Sequence, residues 1–279
     1  MLTKTTNKII PLFIFIIFMA QISVSAASKG LPQKSFNKLM QTEPAVSTRL
    51  YGDFLYMTDK NSLCVIDVSE PTLGNSDQKT AYITIDDGPS RNNTLKNLDT
   101  LKKYGVKATF FVLPKENLDD IYIRIIEEGH IIGNHSCVHD YNYLYGSVDN
   151  FKKDVINAHN FLYERFQYTS SVFRFPGGTM GREKSKIRDR IEILHELGYR
   201  YFDWDVSTSD TDPNLKKYGN EEKIANLLAN NVIKSTRGKK KLIILMHDSA
   251  GKTYTAKALP KIIEGLREQG YVFDVLTNY

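Results

Sequence analysis

Cysteine is scarce in this chain, which has only Cys64 and Cys137 among 279 residues. The two thiols could pair in an oxidising compartment, but their spacing resembles no disulfide scaffold. A nucleophile elbow is also missing, because no G-x-S-x-G occurs. The Gly-Lys-Thr run at 251–253 has Met246 where a phosphate-binding loop requires glycine. These absences argue against a disulfide-built domain, a serine hydrolase of that type and a P-loop enzyme.

The chain also lacks a strong charge of either sign. It has 37 lysines and arginines against 32 aspartates and glutamates, a net charge of +5 with histidines neutral. Loss of an N-terminal segment with Lys4, Lys8 and no acidic residue would leave 35 against 32, or +3. So mild an excess predicts no nucleic-acid partner. It is compatible with a weak attraction to an anionic envelope polymer.

The sequence begins with an apolar segment. Residues 9–22 are almost entirely apolar, and the small residues Ala26 and Ala27 follow. This order is typical of an export signal at 1–26. The alternative is a retained membrane anchor, because a tilted segment of this length could almost cross a bilayer. Both alternatives predict an exported protein that is extracellular or associated with the cell wall, and anchored in the membrane if the signal is kept.

Two further parts are predicted after the signal. Residues 27–78 are expected to form a linker and a small β-rich extension, in which alternating runs at 54–57 and 63–68 indicate a hairpin. From 79 to 279, strand-like and helix-like segments alternate. This alternation predicts an α/β domain of about seven parallel strands with outer helices, either a barrel or an open sheet.

Polar residues gather at the ends of the predicted strands. In parallel α/β folds the carboxyl ends of the strands meet at one edge, where active sites form. The residues concerned are Asp86 and Asp87 after the strand at 80–85, Arg174 at the end of 172–175, Trp204 and Asp205 within 201–206, and His247 after 242–246.

These residues can supply hydrolytic chemistry around a metal ion. His135 and His139 are expected on one helical turn, where side chains at i and i+4 project from the same face. With Asp87 they make a ligand set that leaves positions open for water and substrate. A cation there would lower the pKa of water from about 15.7 toward about 7 and polarise a carbonyl group. Asp86 then fits a general base and His247 a general acid.

Five segments resemble, in order, the five motifs of the polysaccharide deacetylases, carbohydrate esterase family 4. They are TIDDGP at 84–89, HSCVH at 135–139, RFPGG at 174–178, WDVSTSD at 204–210 and LIILMHD at 242–248. The resemblance covers about residues 79–279 and implies a distorted (β/α) barrel. It also implies metal-dependent hydrolysis of a linear amide, the N-acetyl group of an N-acetylglucosamine polymer. Zinc is the usual ion, and cobalt, nickel or manganese are alternatives.

The resemblance also implies a role for each matching residue. The assignments are Asp86 as base, Asp87, His135 and His139 as metal ligands, His247 as acid, and Arg174 as the residue that orients the base. Gly177 matches a position whose backbone N–H helps to hold the tetrahedral oxyanion. Trp204 and Leu245 match the pocket for the acetyl methyl group, with ordinary core packing as the alternative.

The chain departs from the family pattern in three motifs. In the first, Ile85 stands where phenylalanine is usual, a core change that we expect to be tolerated. Phe175 and Gly177 stand where proline and tyrosine are usual, so an aromatic contact in the groove is missing or supplied elsewhere. Ser207 stands where many members have the aspartate that tunes the catalytic histidine. Asp205 and Asp210 are the two candidates to replace it.

Other residues beside the histidine pair have two interpretations. Cys137 could be a thiolate ligand, but on a helical turn it would point away from the two histidines, which favours a buried structural thiol. Tyr141, Tyr143 and Tyr145 follow in a predicted loop. They are either platforms for sugar rings or packing within that loop.

Exported family members with an N-terminal extension resemble peptidoglycan N-acetylglucosamine deacetylases. The expected partner is therefore a cell-wall polysaccharide, bound by a monomer with no nucleic acid and no membrane contact beyond an uncleaved signal. The alternatives are a chitooligosaccharide deacetylase or an O-deacetylase acting on xylan or another glycan. A non-catalytic wall-binding protein is a third class, and the intact catalytic positions argue against it.

Overall fold

The computed structural model describes residues 77–180 and 182–279, together with three strands near the N-terminus. The chain divides into two compact units, Met1–Thr72 and Leu73–Tyr279. The predicted signal at 1–26 lies outside the described residues. Within the described part, no helix combines the length and the apolar character needed to cross a bilayer.

The N-terminal unit contains a three-stranded antiparallel sheet. Its strands are β1 (Ser47–Tyr51), β2 (Phe54–Thr58) and β3 (Leu63–Asp67), in the order β1-β2-β3. The second and third strands pair along their whole length and coincide with the two alternating runs seen in the sequence.

The larger unit is built on a parallel sheet. Its strands are β4 (Lys79–Asp86), β5 (Thr109–Val112), β6 (Ile131–Asn134), β7 (Val172–Phe173), β8 (Arg200–Tyr201), β9 (Val206–Ser207), β10 (Lys241–His247) and β11 (Tyr271–Asp274). They follow the order β8-β7-β6-β5-β4-β10-β9, and β11 pairs with the first half of β4. The strand pairs described in this sheet are parallel, so the α/β class with parallel strands and outer helices is confirmed.

Helices connect these strands. They are α1 (Thr94–Tyr104), α2 (Asp119–Glu127), α3 (Tyr141–Gly146), α4 (Val148–Phe166), α5 (Lys184–Glu196), α6 (Glu221–Ile233) and α7 (Thr253–Glu268). Helix α1 ends at Gly105, whose φ of +62° is the left-handed conformation that glycine adopts without a Cβ penalty. Helix α4 begins at Ser147, whose hydroxyl accepts the N–H of Asn150.

Alternate residues of the central strand β4 face opposite sides of the sheet. Ala81, Ile83 and Ile85 belong to the large apolar core between the sheet and the helices. Tyr82 belongs to a smaller cluster inside the curved sheet, and the next inward positions on β4 are polar. Because side chains alternate along a strand, one face of β4 packs against the helices and the other carries polar side chains toward its carboxyl end.

Two local predictions were wrong. The segment 201–206 is not one strand, because it is split between β8 and β9, which lie at opposite ends of the strand order. Trp204 and Asp205 lie in the link between them. The sheet is thus an open half-barrel. Strand β6 and helix α3 were not predicted, and Tyr141, Tyr143 and Tyr145 lie in that helix rather than in a loop.

Candidate active site

The two adjacent carboxylates at the end of β4 point to different partners. Asp86 is 2% exposed and its Oδ1 accepts a hydrogen bond of 2.9 Å from Arg174 Nη1. Asp87 has a φ of +70°, so the chain turns sharply after the strand and this side chain is directed toward the histidines. The register places His247 of β10 beside Asp86, which brings a third group to the same edge.

Asp87, His135 and His139 form a compact cluster of potential metal ligands. Asp87 Oδ1 lies 3.5 Å from His135 Nε2 and 3.4 Å from His139 Nε2. One ligand atom from each residue lies within 4.8 Å of the other two. The expected helical turn is wrong, because His135 and His139 lie in a loop after β6. Left-handed residues in that loop, Ser136 at φ +84° and His139 at +50°, bring the rings to a centroid distance of 5.1 Å.

The chemistry of this cluster fits a divalent cation. Asp87 Oδ1 is buried and has no hydrogen-bond partner among the described residues. His135 Nδ1 lies 2.9 Å from the carbonyl oxygen of Arg174, so Nδ1–H donates there and the Nε2 lone pair faces Asp87. Burial and the neighbouring His135 lower the pKa of His139, which favours its neutral, ligating form. An unpartnered carboxylate oxygen facing two imidazole nitrogens is the donor set that such an ion requires.

A buried aspartate that sequence reasoning missed holds the histidine loop. Asp154 of α4 accepts the backbone N–H groups of Cys137 at 2.8 Å and Val138 at 3.0 Å. Ser136 Oγ accepts the N–H of His139 at 2.9 Å and closes the same turn. An acidic residue on the buried face of an amphipathic helix was the available signal. The Cys137 thiol is free and half-buried, and it does not belong to the ligand cluster.

Arg174 is a fully buried cation beneath the two carboxylates. Besides Asp86, it donates to Thr84 Oγ1 at 2.6 Å and to the carbonyl oxygens of Phe202 at 2.9 Å and Asp203 at 3.1 Å. Its guanidinium also lies 4.3 Å from the centroid of the Phe111 ring. With its hydrogen-bonding groups engaged, the arginine fixes the orientation of the Asp86 carboxylate.

Asp210, and not Asp205, is the carboxylate that reaches His247. Asp210 Oδ1 lies 2.7 Å from His247 Nδ1, and Oδ2 accepts the His247 backbone N–H at 2.8 Å. Burial acts to lower the pKa of His247, but the hydrogen bond and charge of Asp210, with the charges of Asp86 and Asp87, raise it above its ordinary value.

Asp205 has a different environment. Its carboxylate binds Lys239 Nζ at 2.9 Å and the backbone N–H of Ile243 at 2.9 Å. These contacts tie the link between β8 and β9 to the start of β10. Asp205, one of the two candidates for tuning the histidine, therefore has a structural role instead.

The three predicted substrate-binding residues lie on three different segments of the larger unit. Gly177 is exposed and has a φ of +73°. Leu245 is buried on the inner face of β10, two residues before His247. The ring of Trp204 packs against Gly178 and also lines an open cavity of about 460 Å³ at the seam of the half-barrel.

Known proteins share this fold and sequence pattern. A family model for polysaccharide deacetylases matches residues 73–202, and a model for the LVIVD repeat matches 45–74. The chain is 33% identical over 210 residues to the putative polysaccharide deacetylase YheN of Bacillus subtilis strain 168, covering 74% of this chain and 70% of that protein. The chain belongs to the polysaccharide deacetylases of carbohydrate esterase family 4.

Two further relatives come from Bacillus cereus. A peptidoglycan-N-acetylglucosamine deacetylase of strain ATCC 14579 is 29% identical over 239 residues, covering 84% of this chain and 82% of that protein. The crystal structure of the polysaccharide deacetylase Bc1974 aligns with a TM-score of 0.62 at 29% identity, covering 71% of this chain and 92% of that one. These likenesses support a hydrolase that deacetylates a polysaccharide.

Proposed function

We propose that this chain is a metal-dependent peptidoglycan deacetylase, which hydrolyses the N-acetyl amide of N-acetylglucosamine residues in the wall polymer. One observation carries the proposal. The cluster of Asp87, His135 and His139 lies beside two groups that can transfer protons. One is Asp86, which is hydrogen-bonded to Arg174, and the other is His247, which is hydrogen-bonded to Asp210.

The ligand cluster would hold a divalent ion through Asp87 Oδ1, His135 Nε2 and His139 Nε2. We infer zinc, with cobalt, nickel or manganese as alternatives. When bound, the ion supplies Lewis-acid polarisation of the acetamide carbonyl and a lowered pKa for water. The carbonyl of Arg174 fixes the tautomer of His135, so the chain prepares that ligand before an ion arrives.

Asp86 is the base in this proposal. Its second oxygen, Oδ2, lies 3.7 Å from His135 Nε2, so the free side of the carboxylate faces the ligand cluster. Asp86 takes a proton from the attacking water as the new C–O bond forms. Arg174 remains charged beneath it and holds the carboxylate in one orientation.

His247 is the acid. Since Nδ1 is bound to Asp210, Nε2 is the ring nitrogen left to act on the substrate. The imidazolium gives its proton to the amide nitrogen as the C–N bond breaks, which releases acetate and a free amine. In this proposal the N–H of Gly177 donates to the tetrahedral oxyanion, and Trp204 and Leu245 form the wall of the pocket for the acetyl methyl group.

The choice of peptidoglycan is supported by the wall-acting Bacillus cereus relative, which matches most of this chain. It also agrees with the export signal proposed at 1–26, which would bring the enzyme to the wall. We propose that the protein acts there as a monomer, extracellular or wall-associated.

Acetate release from three polymers tests this function. The metal-stripped protein would be reloaded with zinc or cobalt and assayed on peptidoglycan, chitooligosaccharides and acetylated xylan. Metal-restored release from peptidoglycan is expected, because a relative that matches most of this chain is a peptidoglycan-N-acetylglucosamine deacetylase. Release from xylan alone would identify an O-deacetylase, and no release from any polymer would favour the wall-binding alternative.

A further inference from the structure

Two side chains from separate segments occupy the space beside Gly177. A Cβ atom built on Gly177 would lie 2.7 Å from Arg182 Nη2 and 3.0 Å from both Cε1 and the phenolic oxygen of Tyr141. The positive φ of Gly177 adds a second penalty for any side chain there. Tyr141 and Arg182 therefore fill the position where the family motif usually has tyrosine.

Arg182 is held in a fixed orientation. Its Nε donates to the carbonyl oxygen of Gly178 at 2.8 Å, and its Nη2 donates to that of Pro176 at 2.8 Å. The guanidinium lies 3.8 Å from the ring centroid of Tyr145 and 5.2 Å from that of Tyr141. Its geometry is thus set before any ligand binds, which reduces the entropy lost on binding.

One face of this arginine is left for a ligand. In the part of the chain that the structure describes, Nη1 donates to no group and the guanidinium has no carboxylate within 4.0 Å. Asp203, near Gly178, is bound by the backbone N–H and the hydroxyl of Thr179. A half-buried cation with a spare N–H donor favours an oxygen acceptor with negative charge.

The tyrosines of α3 differ in what they can do. Tyr145 is half-buried, and its hydroxyl donates to the carbonyl oxygen of Pro176 at 2.8 Å. Its role is therefore packing within the protein. Tyr141 is 48% exposed, and its ring lies 5.8 Å from that of the ligand His139. The exposed ring of Tyr141 is therefore close enough to the metal cluster to contact a sugar chain whose acetyl group lies there.

We propose that Tyr141 and Arg182 form a specificity subsite for the sugar next to the one that is deacetylated. The apolar face of that sugar stacks on Tyr141, and a carboxylate on its substituent binds Arg182 Nη1. The subsite selects an acid-bearing glycan over a neutral homopolymer. This inference rests on the proposed function and specifies its substrate class.

Kinetics on two matched glycans test the subsite. One is a peptide-free peptidoglycan strand with free lactyl carboxylates, and the other is a neutral chitooligosaccharide of equal length. Arg182→Gln should lower kcat/KM on the acidic strand about tenfold more than on the neutral one, mainly through KM, because a charged hydrogen bond is lost. Arg182→Lys keeps the charge and should recover part of that preference. Tyr141→Ala should lower kcat/KM on both glycans.

The matched controls are Arg188→Gln and Tyr218→Ala, which change exposed residues outside the proposed subsite. Both should behave as wild type on both glycans. Metal content and melting temperature would be measured for every variant. Equal losses on the two glycans for Arg182→Gln, or no loss on either, would overturn the subsite while leaving the deacetylase function intact.

A binding measurement separates the two proposals. If the wild-type protein releases acetate from neither glycan, the proposed function fails. Equilibrium binding of both glycans then tests the subsite alone. The subsite is supported if the wild type prefers the acidic strand and Arg182→Gln loses that preference. It is overturned if the wild type binds the two glycans equally.

Discussion

The contact between Asp210 and His247 leads to a sharp prediction for Asp210→Asn. Asp210 is 4% exposed, and its carboxylate is shared among His247 Nδ1, the His247 backbone N–H and the Thr255 hydroxyl. Asparagine has nearly the same shape but no charge. His247 would therefore lose the group that raises its pKa, while the surrounding packing stays in place.

The size and sign of the effect follow from that contact. A hydrogen bond to a charged group contributes about 1.5–3 kcal/mol. That range corresponds to about one to two pKa units. Because the acid form of His247 is lost as pH rises through its pKa, the alkaline limb of kcat/KM should move to lower pH by about one to two units in the variant. A bound cation lowers the pKa of His247 in both proteins, so the difference remains.

Acetate release measured across the pH range in which both proteins stay folded would report this shift. Asp205→Asn is the matched control, because its carboxylate binds Lys239 and the Ile243 N–H instead. It should leave the alkaline limb in place. An unmoved limb in Asp210→Asn, or an equal shift in Asp205→Asn, would refute the assignment.

Four other substitutions test single residues of the site and of its support. Asp86→Asn should keep bound metal and lose turnover, whereas His135→Ala should lose the metal. Elemental analysis and acetate release, measured on both variants, check these expectations. A metal-free Asp86→Asn protein would contradict this division of roles. Arg174→Met leaves the carboxylate of Asp86 buried without its cation. It should lower the free energy of unfolding, measured in urea, by about 3–5 kcal/mol. A loss below about 1 kcal/mol would argue against a buried ion pair. Gly133→Ala places a Cβ 2.4 Å from a ring carbon of Phe111 and should cost about 1–3 kcal/mol in the same assay, so an unchanged midpoint would count against this close packing.

The sequence predicted which residues meet at the site better than how the backbone brings them there. Asp86 and His247 follow strongly apolar strands, whose parallel pairing places them side by side. The spacing of His135 and His139 also fits a helical turn, and that prediction was wrong. An interval of four residues does not distinguish a helix from a loop with left-handed residues, and Asp154 stabilises the loop from a distant helix.

Contacts that depend on the path of a loop or on how a short helix packs could not be predicted from the sequence. Asp205 and Asp210 were equal candidates in the sequence, because their distances from His247 depend on the turn after β9. The approach of Tyr141 to Arg182 likewise depends on how α3 packs beside Gly177. Strands of two residues, such as β8 and β9, carry too little periodicity to be recognised.

The central claim is that Asp87, His135 and His139 hold the ion on which deacetylation depends. Its most direct test is acetate release from peptidoglycan by the chelator-stripped protein, before and after addition of one equivalent of zinc or cobalt, with His135→Ala treated in parallel. We expect no release without metal, recovery in the wild type and no recovery in the variant. Full release by the stripped wild-type protein, or equal recovery in His135→Ala, would contradict it.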